Sequence, residues 1–286
     1  MIVLAFLATA GSAPGQPLPH FRQVLFNHQS VNPAYTAIGE NRGFFVFLRN
    51  QLTGGKPAGY TRMVSIHTPV FNNFIGTGLD ILSDRTDTLE RFTLFTNYSY
   101  ELMVSSDLRL RLGGTYGFSS FGQTGSGERN LMGNFGIGAF LYGENGAFSL
   151  AIPRLLGTNP GTSDPSDPVT TDQRIFYFGA SAFFTLSDAV KIKPSIFYAI
   201  PFGLPAGVDL NFMLELKENY RIGLAYRVDG PVGLMAQVRL KNNFRIGIGG
   251  NFKSSPGGGK TVTNGDLSLS YDVDIYRRVN RPAFYF

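Results

Sequence analysis

Three histidines, His20, His28 and His67, and no cysteine at all set the limits of what this chain can do chemically. Without cysteine there is no disulfide, no thiolate nucleophile and no sulfur ligand for a metal. Histidine is the side chain best suited to acid–base work near neutral pH. His67, however, alternates with Met63 and Ser65 on one side of a run whose other side carries Val64 and Ile66. No nucleophile, base and orienting residue can be brought together around any of the three. The expectation is a protein that is not an enzyme.

Other segments imitate known chemistry without completing it. Ser254–Thr261 (S-S-P-G-G-G-K-T) ends like a phosphate-binding loop but has Ser254 where the first glycine is required. A lone Asn32-Pro33-Ala34 is half of the paired signature that water channels carry on two half-helices, and no helical period surrounds it. Asp164, Asp167 and Asp172 lack the spacing of a calcium loop. No metal and no cofactor are expected. A formal charge of +5 and a pI near 9.4 would suit nucleic acid. Yet the longest basic run is Arg277-Arg278, and aromatic residues do not interleave with the cations as in a strand-binding groove, so no nucleic-acid partner is expected.

The elements that must position these residues share one rule. Asp266–Tyr276 reads D-L-S-L-S-Y-D-V-D-I-Y, with Leu267, Leu269, Tyr271, Val273 and Ile275 on one side and Ser268, Ser270, Asp272 and Asp274 on the other. The alternation recurs along the chain, and the charged positions share a face with glycines and serines, the reverse of a soluble sandwich. Composition agrees, with 35 Gly, 26 Phe and 13 Tyr in 286 residues and no Trp. The pattern predicts an all-β fold, a transmembrane antiparallel β-barrel of about 14 strands in the outer membrane, its apolar face toward lipid. The predicted strands are Gly43–Gln51, Thr61–Pro69, Gly76–Ser83, Leu89–Met103, Asp107–Phe118, Asn134–Tyr142, Ala147–Pro153, Ile175–Leu186, Val190–Ile200, Ala206–Leu216, Tyr220–Val228, Val232–Leu240, Phe244–Phe252 and Asp266–Tyr276. An even number returns the last strand beside the first, with both termini periplasmic. Short turns such as Lys217–Asn219 and Lys241–Asn243 then fall on the periplasmic side, and long loops at Ser119–Gly133, Arg154–Arg174 and Lys253–Gly265 fall outside.

Turn lengths also set register. Three residues at Lys217–Asn219 place Glu215 opposite Arg221, and three at Lys241–Asn243 place Arg239 opposite Arg245. The second pair would repel. Asp272 and Asp274 on the following strand can compensate, so the expectation is a lumenal charge cluster of Glu215, Arg221, Arg239, Arg245, Asp272 and Asp274, with Asp274 nearest the two arginines. His67 is expected in the lumen near the periplasmic rim. Gly113, Gly136, Gly138, Gly179, Gly223, Gly233, Gly247 and Gly249 fall on strands, where they are expected to relieve crowding on a curved inner wall. Lumenal Phe95, Phe140, Tyr177, Phe183 and Phe197 point to a partly filled interior.

Four regions follow. Residues 1–15 read as a signal peptide, cleavage zone included, whose basic start is missing. Residues 16–42 form an N-terminal periplasmic arm or plug, 43–276 the barrel, and 277–286 a basic and aromatic periplasmic tail. Pro33 pushes Asn32 out of the helical region, so N-P-A-Y reads as a turn delivering Tyr35 into a pocket, with Phe21 and Phe26 able to anchor on the wall.

The arm carries the most specific motif. Phe21, Gln23, Phe26, Asn27, Asn32, Pro33, Ala34 and Tyr35 fit F-x-Q-x-x-F-N-x-x-x-x-N-P-A-Y, which resembles the opening of the PorP/SprF family of Bacteroidetes outer-membrane proteins. The closing R-R-V-N-R-P-A-F-Y-F resembles that family's basic tail. Arg22 and Val24 depart from the pattern without disturbing its spacing. The resemblance implies a non-enzymatic barrel of the type IX secretion and gliding machinery that exports secreted proteins bearing a C-terminal sorting domain or anchors such adhesins. Its implied partners are outer-membrane lipid, periplasmic components of the machinery and the secreted surface protein. Two readings of the arm stand side by side: simple packing, or a docking surface built from Phe21, Gln23, Phe26, Asn27, Asn32, Pro33 and Tyr35. A pore, or a fatty-acid-channel-like transporter for small anionic or hydrophobic solutes, is the alternative function.

Overall fold

Alternating sequences of this kind satisfy their backbone groups only by closing on themselves, and the chain does so. The computed structural model describes residues 27–38, 41–53, 56–70, 74–156, 174–201, 206–228, 230–254 and 260–274. The strands are β1 Asn41–Thr53, β2 Lys56–Val70, β3 Ile75–Thr86, β4 Leu89–Met103, β5 Leu108–Gln123, β6 Asn130–Gly143 and β7 Gly146–Ile152. Then come β8 in two pieces, Ile175–Ala182 and Phe184–Ser187, and β9 Val190–Pro201. The barrel is completed by β10 Gly207–Leu216, β11 Tyr220–Arg227, β12 Val232–Arg239, β13 Phe244–Ser254 and β14 Lys260–Asp274. Each pairs antiparallel with its neighbours in sequence, and β14 pairs with β1 (Leu48↔Leu267), leaving no free edge.

The break in β8 has a local cause. Register is unchanged across it, since Ser195↔Ser181 and Ile192↔Phe184 belong to the same ladder. The gap in the ladder falls at Ala182 and Phe183, opposite Pro194 and Lys193, and Pro194 has no N–H to give. The two pieces are therefore one stave of a fourteen-stave barrel.

Burial alternates as the sequence does. In β14 Leu267 is 46 % exposed while Ser268 beside it is 4 % exposed. Apolar side chains cover the outer wall, with Tyr116, Leu131 and Ile248 among the most exposed. Water would not tolerate such a surface, whereas lipid requires it.

Asn41↔Asp274 is the first pair of the closing ladder, so the chain enters and leaves the barrel at one rim. Connections at that rim are short: 104–107, 144–145, 188–189 and 217–219. The opposite rim corrects the sequence-based boundaries. β5 runs on to Gln123 and β6 starts at Asn130, so the expected loop Ser119–Gly133 shrinks to 124–129. Likewise β13 and β14 extend to Ser254 and back to Lys260, absorbing most of the expected loop Lys253–Gly265. Polar, glycine-rich stretches form strand there because ladder bonding, not side-chain burial, holds them once they stand clear of the lipid. The connection 153–174 is the long one, and most of it, with Asp164, Asp167 and Asp172, lies outside the described residues.

Candidate functional site

Residues 27–38 cannot join the ladder, because Pro33 lacks a donor and the side chains do not alternate. They fold instead inside the barrel as two single 3-10 turns, His28–Ser30 and Pro33–Tyr35. Asn32 is extended (φ −135°, ψ 110°) and its side chain caps the second turn by accepting from the Ala34 N–H at 2.9 Å. The other half of that amide grips the wall, donating to Ser149 Oγ (2.8 Å), to the Ala139 carbonyl (3.0 Å) and to the Leu150 carbonyl (3.3 Å). One side chain thus shapes the turn and ties it to β6 and β7.

The remaining anchors come from other strands. Asn27 donates to Ser65 on β2 (2.6 Å), and Gln29 to Asp80 on β3 (3.1 Å). Asp80 also accepts from Ser65 and from Asn97 on β4. The Thr36 carbonyl accepts from Ser99 Oγ (2.8 Å) and from the Arg111 guanidinium (3.0 Å). Arg111 is fully buried and pairs with Glu101, which also takes Arg109 and the Tyr142 hydroxyl. Aromatic rings finish the seat: Tyr35 lies 4.0 Å from the Phe140 ring, and His28 lies between Tyr35 (4.6 Å) and Phe197 (5.8 Å). Ser65 on β2 and Phe197 on β9 are seven staves apart around fourteen, so the segment reaches across the full width of the lumen. It is a plug seated toward the short-turn rim.

Glycine makes the fit possible. A Cβ on Gly113 would sit 2.2 Å from the Ala34 nitrogen and 2.4 Å from the Pro33 carbonyl carbon. One on Gly138 would sit 1.9 Å from Asn32 Oδ1. Of these two glycines, expected only to ease curvature, Gly113 is where plug backbone meets wall backbone, and Gly138 is where the Asn32 side chain meets it.

His28 has both ring nitrogens buried with no partner among the described residues. Desolvation, helped by nearby Lys193, holds its pKa well below the ordinary 6.5, so the imidazole is neutral. Beyond the plug lies a cavity of about 70 Å³ lined by Gln29, Val31, Asp80, Phe95, Asn97 and Tyr177 among others. Among the described residues no three His, Asp or Glu side chains gather as a metal-binding group.

The staves from β9 to β14 carry charge instead. Glu215 lies opposite Arg221, 2.8 Å apart, and Arg239 lies opposite Arg245. Arg245 reaches Asp272 at 3.6 Å, and Asp272 also faces His67 at 3.6 Å. The carboxylate beside Arg245 is thus Asp272 rather than the Asp274 favoured from sequence. Asp274 pairs with Asn41 through its backbone, and its side chain lies outside the described residues. Arg239 turns toward Glu218 (3.9 Å) and bonds Asn243.

The motif residues are distributed accordingly. Asn27, Asn32, Pro33 and Tyr35 meet in the plug, while Phe21, Gln23 and Phe26 lie outside the described residues. Sequence reasoning missed the hold of Arg111, Glu101, Ser99 and Asp80 on the plug, although alternation marks Arg111 as lumenal. The readable signal was there, since each is a polar residue at an inward position of an alternating strand beside a plug rich in amides.

The sequence profile of the type IX secretion system membrane protein PorP/SprF matches residues 14–271. No functionally curated protein matches the chain. Among solved structures, the Ralstonia pickettii toluene transporter TbuX is similar at 10 % identity and a TM-score of 0.53, covering 84 % of this chain and 91 % of TbuX. The CymD monoaromatic hydrocarbon channel is similar at 9 % identity and 0.51, covering 89 % and 93 %. The Acinetobacter baumannii outer membrane protein Omp33 is similar at 10 % identity and 0.50, covering 82 % and 100 %. At such identities the likeness is one of fold, that of outer-membrane barrels.

Proposed function

The chain belongs to the PorP/SprF family of type IX secretion system membrane proteins, and from that premise we propose that it serves the machinery as a plugged anchor rather than as a conduit. In this reading the barrel holds a station in the outer membrane, both termini face the periplasm, and periplasmic components meet the short-turn rim. The outer rim helps export, or retains at the surface, proteins carrying a C-terminal sorting domain. The observation that supports it is the plug: the same Asn27, Asn32, Pro33 and Tyr35 that carry the family motif cross the lumen and are bonded to its wall. Their part in partner binding is to hold the arm at the rim, from which the preceding residues can reach a periplasmic protein.

The test is to disrupt the gene in the bacterium that carries it and compare surface and secreted proteins. Loss of particular sorting-domain proteins from the surface is expected, with small-solute uptake unchanged. An unchanged surface together with lost uptake of a small solute would overturn the proposal and favour the pore. Planar-bilayer recording gives a second check, a large steady current through the purified barrel counting against the anchor.

A further inference from the structure

The half of the lumen away from the plug's main anchors is not neutral. At the short-turn rim the inward positions of β9, β11, β12 and β13 present Lys191, Arg221, Arg239 and Arg245. Among the described side chains three carboxylates face them, Glu215, Glu218 and Asp272. Arg221 and Glu215 form a tight pair, at 2.8 Å. Looser are Lys191–Glu218 at 3.5 Å, Arg245–Asp272 at 3.6 Å, Lys191–Glu215 at 3.8 Å and Arg239–Glu218 at 3.9 Å. Elsewhere in the same lumen the pairing is close, with Arg49–Asp266 at 2.7 Å and Arg227–Asp209 at 2.8 Å. Among the described side chains of this rim, Arg239 and Arg245 therefore stand without a close carboxylate.

Two further observations single it out. Arg239 and Arg245 are set directly opposite each other, an arrangement that destabilises a sheet, and Arg245 Nε is buried without a partner among the described residues. The turns beneath it are strained as well. Of the four non-glycine residues with positive φ among those described, Lys217 (49°), Glu218 (57°) and Asn243 (63°) lie in these two turns. Backbone strain and like-charge repulsion are thus concentrated where the barrel opens toward its own termini.

We infer that this rim is a docking site for an extended acidic peptide segment of a periplasmic protein, its carboxylates received by Arg239 and Arg245. The geometry favours peptide over lipid, because these side chains point into the lumen and not toward the bilayer. Adjacent staves are about 4.8 Å apart, and the long side chains of Arg239 and Arg245 can spread somewhat beyond that. Alternate residues of an extended chain are about 7 Å apart, so two carboxylates of one segment can be met at once. The inference rests on the placement of this rim in the periplasm under the proposed function, and names the chemistry of the partner.

The test uses the full-length barrel in detergent micelles and a fluorescein-labelled hexaglutamate peptide, followed by anisotropy. The wild-type protein should bind it, with affinity falling as salt is raised, while labelled hexalysine should not bind. The R239Q/R245Q variant should weaken hexaglutamate binding at least tenfold. The milder R239K/R245K variant, which keeps the charge, should retain most of it. Heat-modifiable migration in gels verifies that each variant is a closed barrel, and a variant that fails this check is replaced by the single R239Q. Absence of hexaglutamate binding, or binding indifferent to these substitutions, overturns the inference. So does displacement of the peptide by inorganic phosphate at the same charge concentration, which would make the rim a simple anion site. Each of these failures leaves the gene-disruption result untouched, so the two readings fall separately.

Discussion

Replacing Gly113 with valine should unseat the plug while leaving the barrel closed. The new Cβ would lie 2.2 Å from the Ala34 nitrogen, and that atom would have to retreat about 1.2 Å to reach an ordinary 3.4 Å contact. Both groups are backbone, so neither can swing away. A retreat of that size carries Asn32 off Ser149 (2.8 Å) and the Ala139 carbonyl (3.0 Å), and Thr36 off Ser99 and Arg111. With the weaker bond to Leu150, five hydrogen bonds are lost. At about 1 kcal/mol net each, docking weakens by roughly 5 kcal/mol, a factor of more than 10³ in the seated population. The assay is chymotrypsin cleavage at Tyr35 in proteoliposomes, read beside ion conductance. G113V should be cut and should conduct, and G114V should do neither, because a Cβ on Gly114 has its nearest neighbour at 3.9 Å. If G113V stays protected and silent like G114V, the seat has been misread.

Three further outcomes follow from the same contacts. Asn32→Ala removes the cap and three bonds to the wall, and should weaken plug docking by about 2–4 kcal/mol, seen as faster amide exchange over residues 27–38 with barrel melting little changed. Arg111→Met removes its bonds to Glu101, Ser99 and the Thr36 carbonyl while Glu101 keeps Arg109 and Tyr142, and should cost about 3–5 kcal/mol in denaturant titration. His28 is neutral when docked and its pKa is depressed by burial, so the released segment binds the extra proton. Docking is therefore fully stable above pH 6.5 and weakens as pH falls below it toward the depressed pKa. Protease protection measured from pH 7.5 to 4.5 should decline in the wild type and decline less in His28→Phe.

Much of this architecture could be read from residue order because a barrel wall has one period and two solvents. Alternation marks Leu267 as outward and Ser268 as inward without any tertiary knowledge, and turn length places Glu215 opposite Arg221. Strand ends beyond the lipid were less legible, since residues such as Ser119–Gln123 and Lys260–Gly265 are held by ladder bonds that leave no mark on composition. The seat of the plug was hidden for a different reason. Gly113 and Gly138 look like any strand glycine until the chain brings Ala34 and Asn32 against them, a contact across 79 and 106 positions. The bend of N-P-A-Y was visible locally, but the partners of Asn32 on β6 and β7 were not.

A plugged anchor keeps its plug in place while the protein works. The chain has no native cysteine, and a Cβ on Gly78 would lie 2.9 Å from Thr36 Cγ2, so a T36C/G78C pair is close enough for a disulfide. In cells carrying this variant as the sole copy, surface display of sorting-domain proteins should be the same with the bond oxidised as with it reduced. Display that stops on oxidation and resumes after reductant would mean that the lumen must open, contradicting the plugged anchor.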